Sequence, residues 1–184
     1  MFDLDRFIED CCAARAADAT HRNMREVLAR AVAEPAALLR AVGEPKCGGV
    51  ERLYHSDTLT ILNVVWSPLI TVLPHNHRMW ALIGVYTGRE DNVFWRRLTK
   101  APNRIEAAGA KSLSETDAEP LGADIIHSVT NPVPRLSGAI HIYGGDFYSA
   151  GRSEWDAETL SERDFDFSAS ARLFEQFNEH WGLA

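Results

Sequence analysis

The chain has 184 residues, 46% hydrophobic and 24% charged, which suits one domain with a single substantial core. Its net charge of −7 comes without any lysine or arginine run that would form a basic stripe, so no nucleic-acid partner is expected. Residues 1–18 are charged throughout, without the apolar stretch of a signal peptide, and no run of about 18 apolar residues marks a membrane span. The expected location is the cytoplasm, with no membrane partner. Cys11 and Cys12 are adjacent and Cys47 stands beside Gly48, which fits neither a disulfide framework nor a zinc motif.

Leu4, Phe7, Ile8 and Cys11 recur at helical steps, as do Met24, Val27, Leu28 and Ala31, so residues 1–45 are predicted as helices punctuated by Pro35 and by Gly43-Glu44-Pro45. From Gly49 the pattern shifts to short β-rich runs, over residues 59–66, 69–73, 79–86, 92–98, 125–129 and 137–143. Without helical patterning between them, these runs predict an antiparallel jelly-roll barrel over 49–150 rather than a parallel α/β fold. Gly88-Arg89-Glu90-Asp91-Asn92 reads as a hairpin turn with solvated acids, and Trp66, Trp80 and Trp95 as ordinary packing. Residues 151–184 read as a polar tail and then a closing amphipathic helix marked by Ala171, Phe174, Phe177 and Trp181, ending near Gly182. The whole chain, 1–184, is expected to be one mainly β domain.

His75 and His77 directly follow a strand pattern, and side chains two apart on a strand face the same way, so the pair can chelate one ion. His127 lies fifty residues later in another apolar β run, where a barrel can bring it alongside. The spacing Pro120-x-Gly122, then His127-x-x-x-Asn131, completes a second motif.

Together the two motifs resemble the paired segments of the cupin superfamily, whose fold is a double-stranded β-helix. Cupins usually carry a glutamate ligand four or five residues after the second histidine; Ala81, Leu82 and Ile83 stand there here. Absence of that carboxylate resembles cysteine dioxygenase and related thiol dioxygenases, a similarity that runs over 52–147. It implies iron(II) held by His75, His77 and His127. It also implies His141 and Tyr143 as catalytic residues beside the substrate, and Arg52 as the partner of a substrate carboxylate. Arg96 and Arg97 are rival partners, one of which alternation should turn inward. Two departures stand out: Ala139 replaces the family's usual serine, and Leu82 replaces a cysteine that in some members cross-links to the tyrosine.

An ion on three neutral imidazoles keeps its full charge and open positions, which suits an anionic thiolate and dioxygen together. The implied reaction is oxidation of a small thiol, such as cysteine or 3-mercaptopropionate, to its sulfinic acid. The alternatives are a three-histidine cupin acting on a non-thiol substrate and a non-catalytic cupin sensing a ligand or metal. The expected partners are thus the thiol and O2, in a monomer or homodimer.

Overall fold

Three helices, α1 (Leu4–Ala17), α2 (Arg22–Val32) and α3 (Pro35–Val42), open the chain in a computed structural model that describes residues 2–183. Asp3 caps α1 by accepting the Arg6 backbone N–H at 3.0 Å, and Pro35 starts α3 where its missing N–H costs nothing. Strands then dominate: β1 (Gly49–Ser56), β2 (Leu59–Trp66), β3 (Thr71–Asn76), β4 (Ala81–Thr87), β5 (Arg89–Leu98) and β6 (Ala101–Ser114). They continue with β7 (Ala118–Leu121), β8 (Ile126–Thr130), β9 (Ser137–Tyr143), β10 (Ser153–Trp155) and β11 (Glu162–Asp164). Helix α4 (Phe167–Trp181) closes the fold, capped by Asp166 and ended by Gly182 in the left-handed region.

The strands form two antiparallel sheets, ordered β1-β2-β9-β4-β7 and β11-β10-β3-β8-β5-β6. Their faces enclose a double-stranded β-helix. Burial follows strand alternation. On the outer face of the first sheet Leu59, Ile61, Leu82, Ile140 and Ile142 pack against Met24, Leu28 and Val32 of α2. On the inner face Leu62, Val64, Ala81, Ile83, Ala139 and Tyr143 fill the barrel. A sheet covered on both sides shows no polar alternation, which is why β2 is buried at every position. Each fully buried Ile or Leu contributes about 1.5–3 kcal/mol relative to an exposed one. Trp66 continues the inner core outward by stacking on Phe174 of α4, ring centres 5.7 Å apart.

Several features differ from the sequence-based expectation, among them strands β1 and β7, which lie outside the predicted β runs. Gly88 (φ +78°) is a corner rather than a hairpin tip: it carries the chain from β4 in the first sheet to β5 in the second. An added Cβ there would fall 2.2 Å from Ser137 Oγ, so glycine is required twice over. The predicted turn residues consequently belong to β5. Strand β6 escaped detection because it lies at a sheet edge with most residues exposed, and it has no hydrophobic alternation to read. Finally, β10 and β11 come from the segment expected to be tail; β10 joins the second sheet through Glu154 opposite His75.

Candidate metal centre

The geometry starts from strand register. His75 of β3 lies opposite His127 of β8, and His77 follows one residue beyond β3, past a local irregularity between Val72 and His75. All three imidazoles are buried, and their ligating nitrogens lie within 4.8 Å of one another.

Hydrogen bonds orient two of the rings. His75 Nδ1–H donates to the Leu73 carbonyl oxygen at 2.8 Å, and His127 Nδ1 meets the Asn92 Oδ1 at 2.6 Å. Each contact engages Nδ1 and leaves Nε2 to turn toward the cluster, where His127 Nε2 and His77 Nε2 stand 3.5 Å apart. Burial, reinforced by the Arg152 charge, lowers His75 to a pKa of about 4. Burial followed by the neighbouring imidazoles holds His77 and His127 well below the usual histidine range. The rings are therefore neutral at pH 7, with lone pairs available, and the donor set fits a divalent transition metal.

The imidazoles line a cavity of about 60 Å³ inside the barrel. A water molecule needs roughly 10–15 Å³ of such space, so the cavity takes on the order of five water-sized groups. A second, outer cavity of about 370 Å³ shares Phe147, Arg152, Phe165 and Phe174 in its wall. The inner cavity therefore suits a molecule of a few heavy atoms.

His141 and Tyr143 reach the cavity because β9 alternation turns residues 139, 141 and 143 inward. Tyr143 Oη lies 3.1 Å from His141 Nδ1, and its ring packs against His77 at 4.9 Å between centres. Burial pushes the Tyr143 phenol up, so it stays protonated at neutral pH.

Two charged residues of the site were missed. Glu90, expected to be solvated, is fully buried. The Gly88 corner starts β5 so that Glu90 and Asn92 both face inward. There Glu90 accepts from Trp66 Nε1 at 2.7 Å and from Asn92 Nδ2 at 3.1 Å, and it lies 3.1 Å from His141 Nε2. Burial opposes its ionisation, yet His141, Trp66 and Asn92 together hold the carboxyl below its ordinary value. A clue was available: Glu90 and Asn92 are two polar residues at strand spacing directly after a glycine.

The second is Arg152, 5% exposed, whose Nε and Nη2 have no hydrogen-bond partner among the described residues. Burial lowers its pKa to about 10, which leaves it charged at neutral pH. Glu154 favours its charge from a distance but forms no ion pair with it among the described residues, and Arg163 donates to that carboxylate at 2.8 Å. Nothing local in the sequence distinguishes Arg152 from a surface arginine.

The arginines singled out from sequence lie elsewhere. Arg52 sits on the edge strand β1 in register with Leu62, with an exposed side chain outside the cavity wall. Neither Arg96 nor Arg97 turns inward: Arg96 pairs with Glu106 at 2.8 Å, and Arg97 pairs with Glu162 and lies over the Trp155 ring. Both are exposed, because this end of β5 runs beyond the barrel wall into its pairing with β6. Trp80 and Trp95 are packing residues, donating to Ala19 O and Ser128 Oγ, whereas Trp66 also lines the cavity. No helix among the described residues is long and apolar enough to cross a membrane.

No protein-family model matches the chain. Among solved structures it is similar to an RmlC-like cupin family protein with a double-stranded β-helix fold from Methanocaldococcus jannaschii. That match has 10% identity and a TM-score of 0.47, over 56% of this chain and 85% of that one. It is similar also to an uncharacterized conserved protein with a double-stranded β-helix domain from Klebsiella pneumoniae, at 10% identity and TM-score 0.45, over 62% and 89%. A DMSP lyase from Ruegeria pomeroyi matches at 15% identity and TM-score 0.44, over 56% of this chain and 50% of that one. In this chain the mainly β fold brings together a cluster of three buried histidines that could hold a metal ion.

Proposed function

We propose that this protein is an iron(II)-dependent thiol dioxygenase that converts a small thiol and O2 to the sulfinic acid, and that the thiol carries an anionic group such as a carboxylate. The observation that carries the reading is the pairing, in one small cavity, of three neutral imidazoles with a buried guanidinium whose Nε and Nη2 have no hydrogen-bond partner among the described residues. When bound, the iron supplies a positive charge that favours thiolate over thiol and a redox centre for the reduction of O2. Both oxygen atoms end on sulfur, so no other reductant is required.

The protein's residues do the rest. Arg152 offers Nε–H and Nη2–H as a fork for a carboxylate, which suits 3-mercaptopropionate or cysteine. Tyr143, protonated, lines the cavity with its O–H held by His141, which leaves its phenol oxygen to accept a hydrogen bond from a cavity ligand. Val64, Val72, Val129 and Phe174 exclude bulk water.

The test is oxygen uptake by anaerobically iron-loaded protein against a panel of small thiols, with products identified by mass. Thiol-dependent uptake giving a product two oxygen atoms heavier is expected. Protein shown to hold iron that consumes no oxygen with any thiol would overturn the proposal in favour of another substrate or a sensing role.

A further inference from the structure

Glu90 hydrogen-bonds none of the three proposed ligands, yet a continuous hydrogen-bonded path runs through it from one of them to Tyr143. The path is His127 Nδ1 to Asn92 Oδ1 (2.6 Å), Asn92 Nδ2 to Glu90 Oε1 (3.1 Å), Glu90 Oε2 to His141 Nε2 (3.1 Å) and His141 Nδ1 to Tyr143 Oη (3.1 Å). Every residue on it is buried. It also joins the two sheets, since Glu90 and Asn92 lie on β5 and His141 and Tyr143 on β9.

We infer that Glu90 is a positioning residue that sets the proton positions on two imidazoles at once, on His141 directly and on His127 through the Asn92 amide. Groups that can only donate, or only accept, fix the pattern. The indole N–H of Trp66 can only donate, and it occupies Glu90 Oε2 at 2.7 Å. An ionised carboxylate can only accept, so His141 must present Nε2–H to it. In the neutral ring His141 Nδ1 then carries a lone pair and accepts the Tyr143 O–H. Along the other arm, the carboxylate draws the NH2 end of Asn92, which turns Oδ1 toward His127. An amide oxygen accepts, so His127 must carry its proton on Nδ1, and Nε2 keeps the lone pair that a metal requires. The inward residue two before His141 is Ala139, which has no polar side-chain atom, so Glu90 and Tyr143 are the side chains that hydrogen-bond this imidazole among the described residues.

The metal arm of the inference rests on the three-histidine site; the proton positions do not. Both are testable in the metal-free full chain, where long-range proton–nitrogen NMR of 15N-labelled protein identifies the histidine tautomers. His141 is expected as Nε2–H and His127 as Nδ1–H. Either ring in the opposite form in the wild type overturns the inference without any variant.

Glu90→Gln tests causation. The glutamine oxygen keeps Trp66 and His141, but its NH2 faces the NH2 of Asn92, so Asn92 reverses and drives His127 toward Nε2–H. Zn2+ affinity, measured by competition with a chelator, should fall roughly 10- to 100-fold. Exchanging the two groups, Glu90→Gln with Asn92→Asp, restores the pattern: the introduced glutamine donates to the introduced carboxylate, which accepts from His127 Nδ1–H. The exchanged protein should return His127 to Nδ1–H and recover Zn2+ affinity to within about threefold of the wild type. A merely structural role predicts that the double change is worse than the single one, and that result would overturn the inference. So would Glu90→Gln with unchanged tautomers and Zn2+ affinity. If Glu90→Gln does not fold, the wild-type and exchanged proteins still decide. Failure of the metal reading is separately visible as wild-type protein that binds no Zn2+.

Discussion

Arg152 holds its guanidinium carbon 4.0 Å from the ring centre of Phe147, and the same cation lies 4.0 Å from Phe165 and 4.7 Å from Phe167. A charge kept by aromatic faces rather than by a carboxylate retains hydrogen-bonding capacity while being shielded from water. It also raises the local positive potential beside the imidazoles, an environment that favours an anionic ligand.

Arg152→Met should lower kcat/KM for carboxylate-bearing thiols by about 1.5–3 kcal/mol, roughly 10- to 150-fold, mainly through KM. A neutral thiol such as 2-mercaptoethanol should be far less affected. Arg52→Ala should leave this discrimination intact, because that side chain is exposed on β1. Steady-state kinetics on both variants checks the assignment; loss of discrimination in Arg52→Ala alone would move the anchor to Arg52.

His127→Ala should remove most bound metal, whereas His141→Ala should retain it, since the His141 ring nitrogens face Glu90 and Tyr143 rather than the cluster. Metal content by elemental analysis after anaerobic loading separates the two. Full occupancy in His127→Ala would mean the triad is misassigned.

Acid should destabilise the metal-free protein. The His75 pKa lies near 4 in the folded chain and about 6.5 unfolded, so between these values the unfolded state binds the extra proton. The stabilisation is complete above about pH 6.5 and is lost as pH falls through 4, on the order of 3 kcal/mol for His75. His77 and His127 act in the same direction. Denaturant midpoints at a series of pH values give the slope, and a flat profile from pH 7 to 4 would contradict neutral buried imidazoles.

Gly84→Ala probes the seat of the helices on the first sheet. Its Cβ would lie 2.7 Å from Leu28 Cδ1 and 2.8 Å from Val32 Cγ1, so α2 must shift or the side chains must leave their rotamers. A loss of about 1–3 kcal/mol is expected in thermal or chemical unfolding. Metal content should be unchanged, since Gly84 lies on the outer face of the sheet, away from the cavity.

The sequence by itself determined the barrel, the terminal helices and the histidine cluster, because each is written in local periodicity or in short spacing. His75 and His77 are two apart at the end of a β run, and His141 and Tyr143 occupy alternate positions of β9, whose predicted extent of 137–143 matches the strand. The Gly182 helix end was legible for the same reason. Tertiary structure alone decided which charged groups enter the site. Glu90 is buried because the Gly88 corner changes sheets and so delivers β5 with that residue facing Trp66 and His141. Arg152 reaches the cavity because β10 returns to pair with β3 beside His75, and because Phe147, Phe165 and Phe167 meet around it. Arg52, placed by resemblance near a substrate, remains on an exposed edge. An isolated Glu or Arg carries no periodicity, and its burial depends on donors, acceptors and rings supplied by segments distant in the chain.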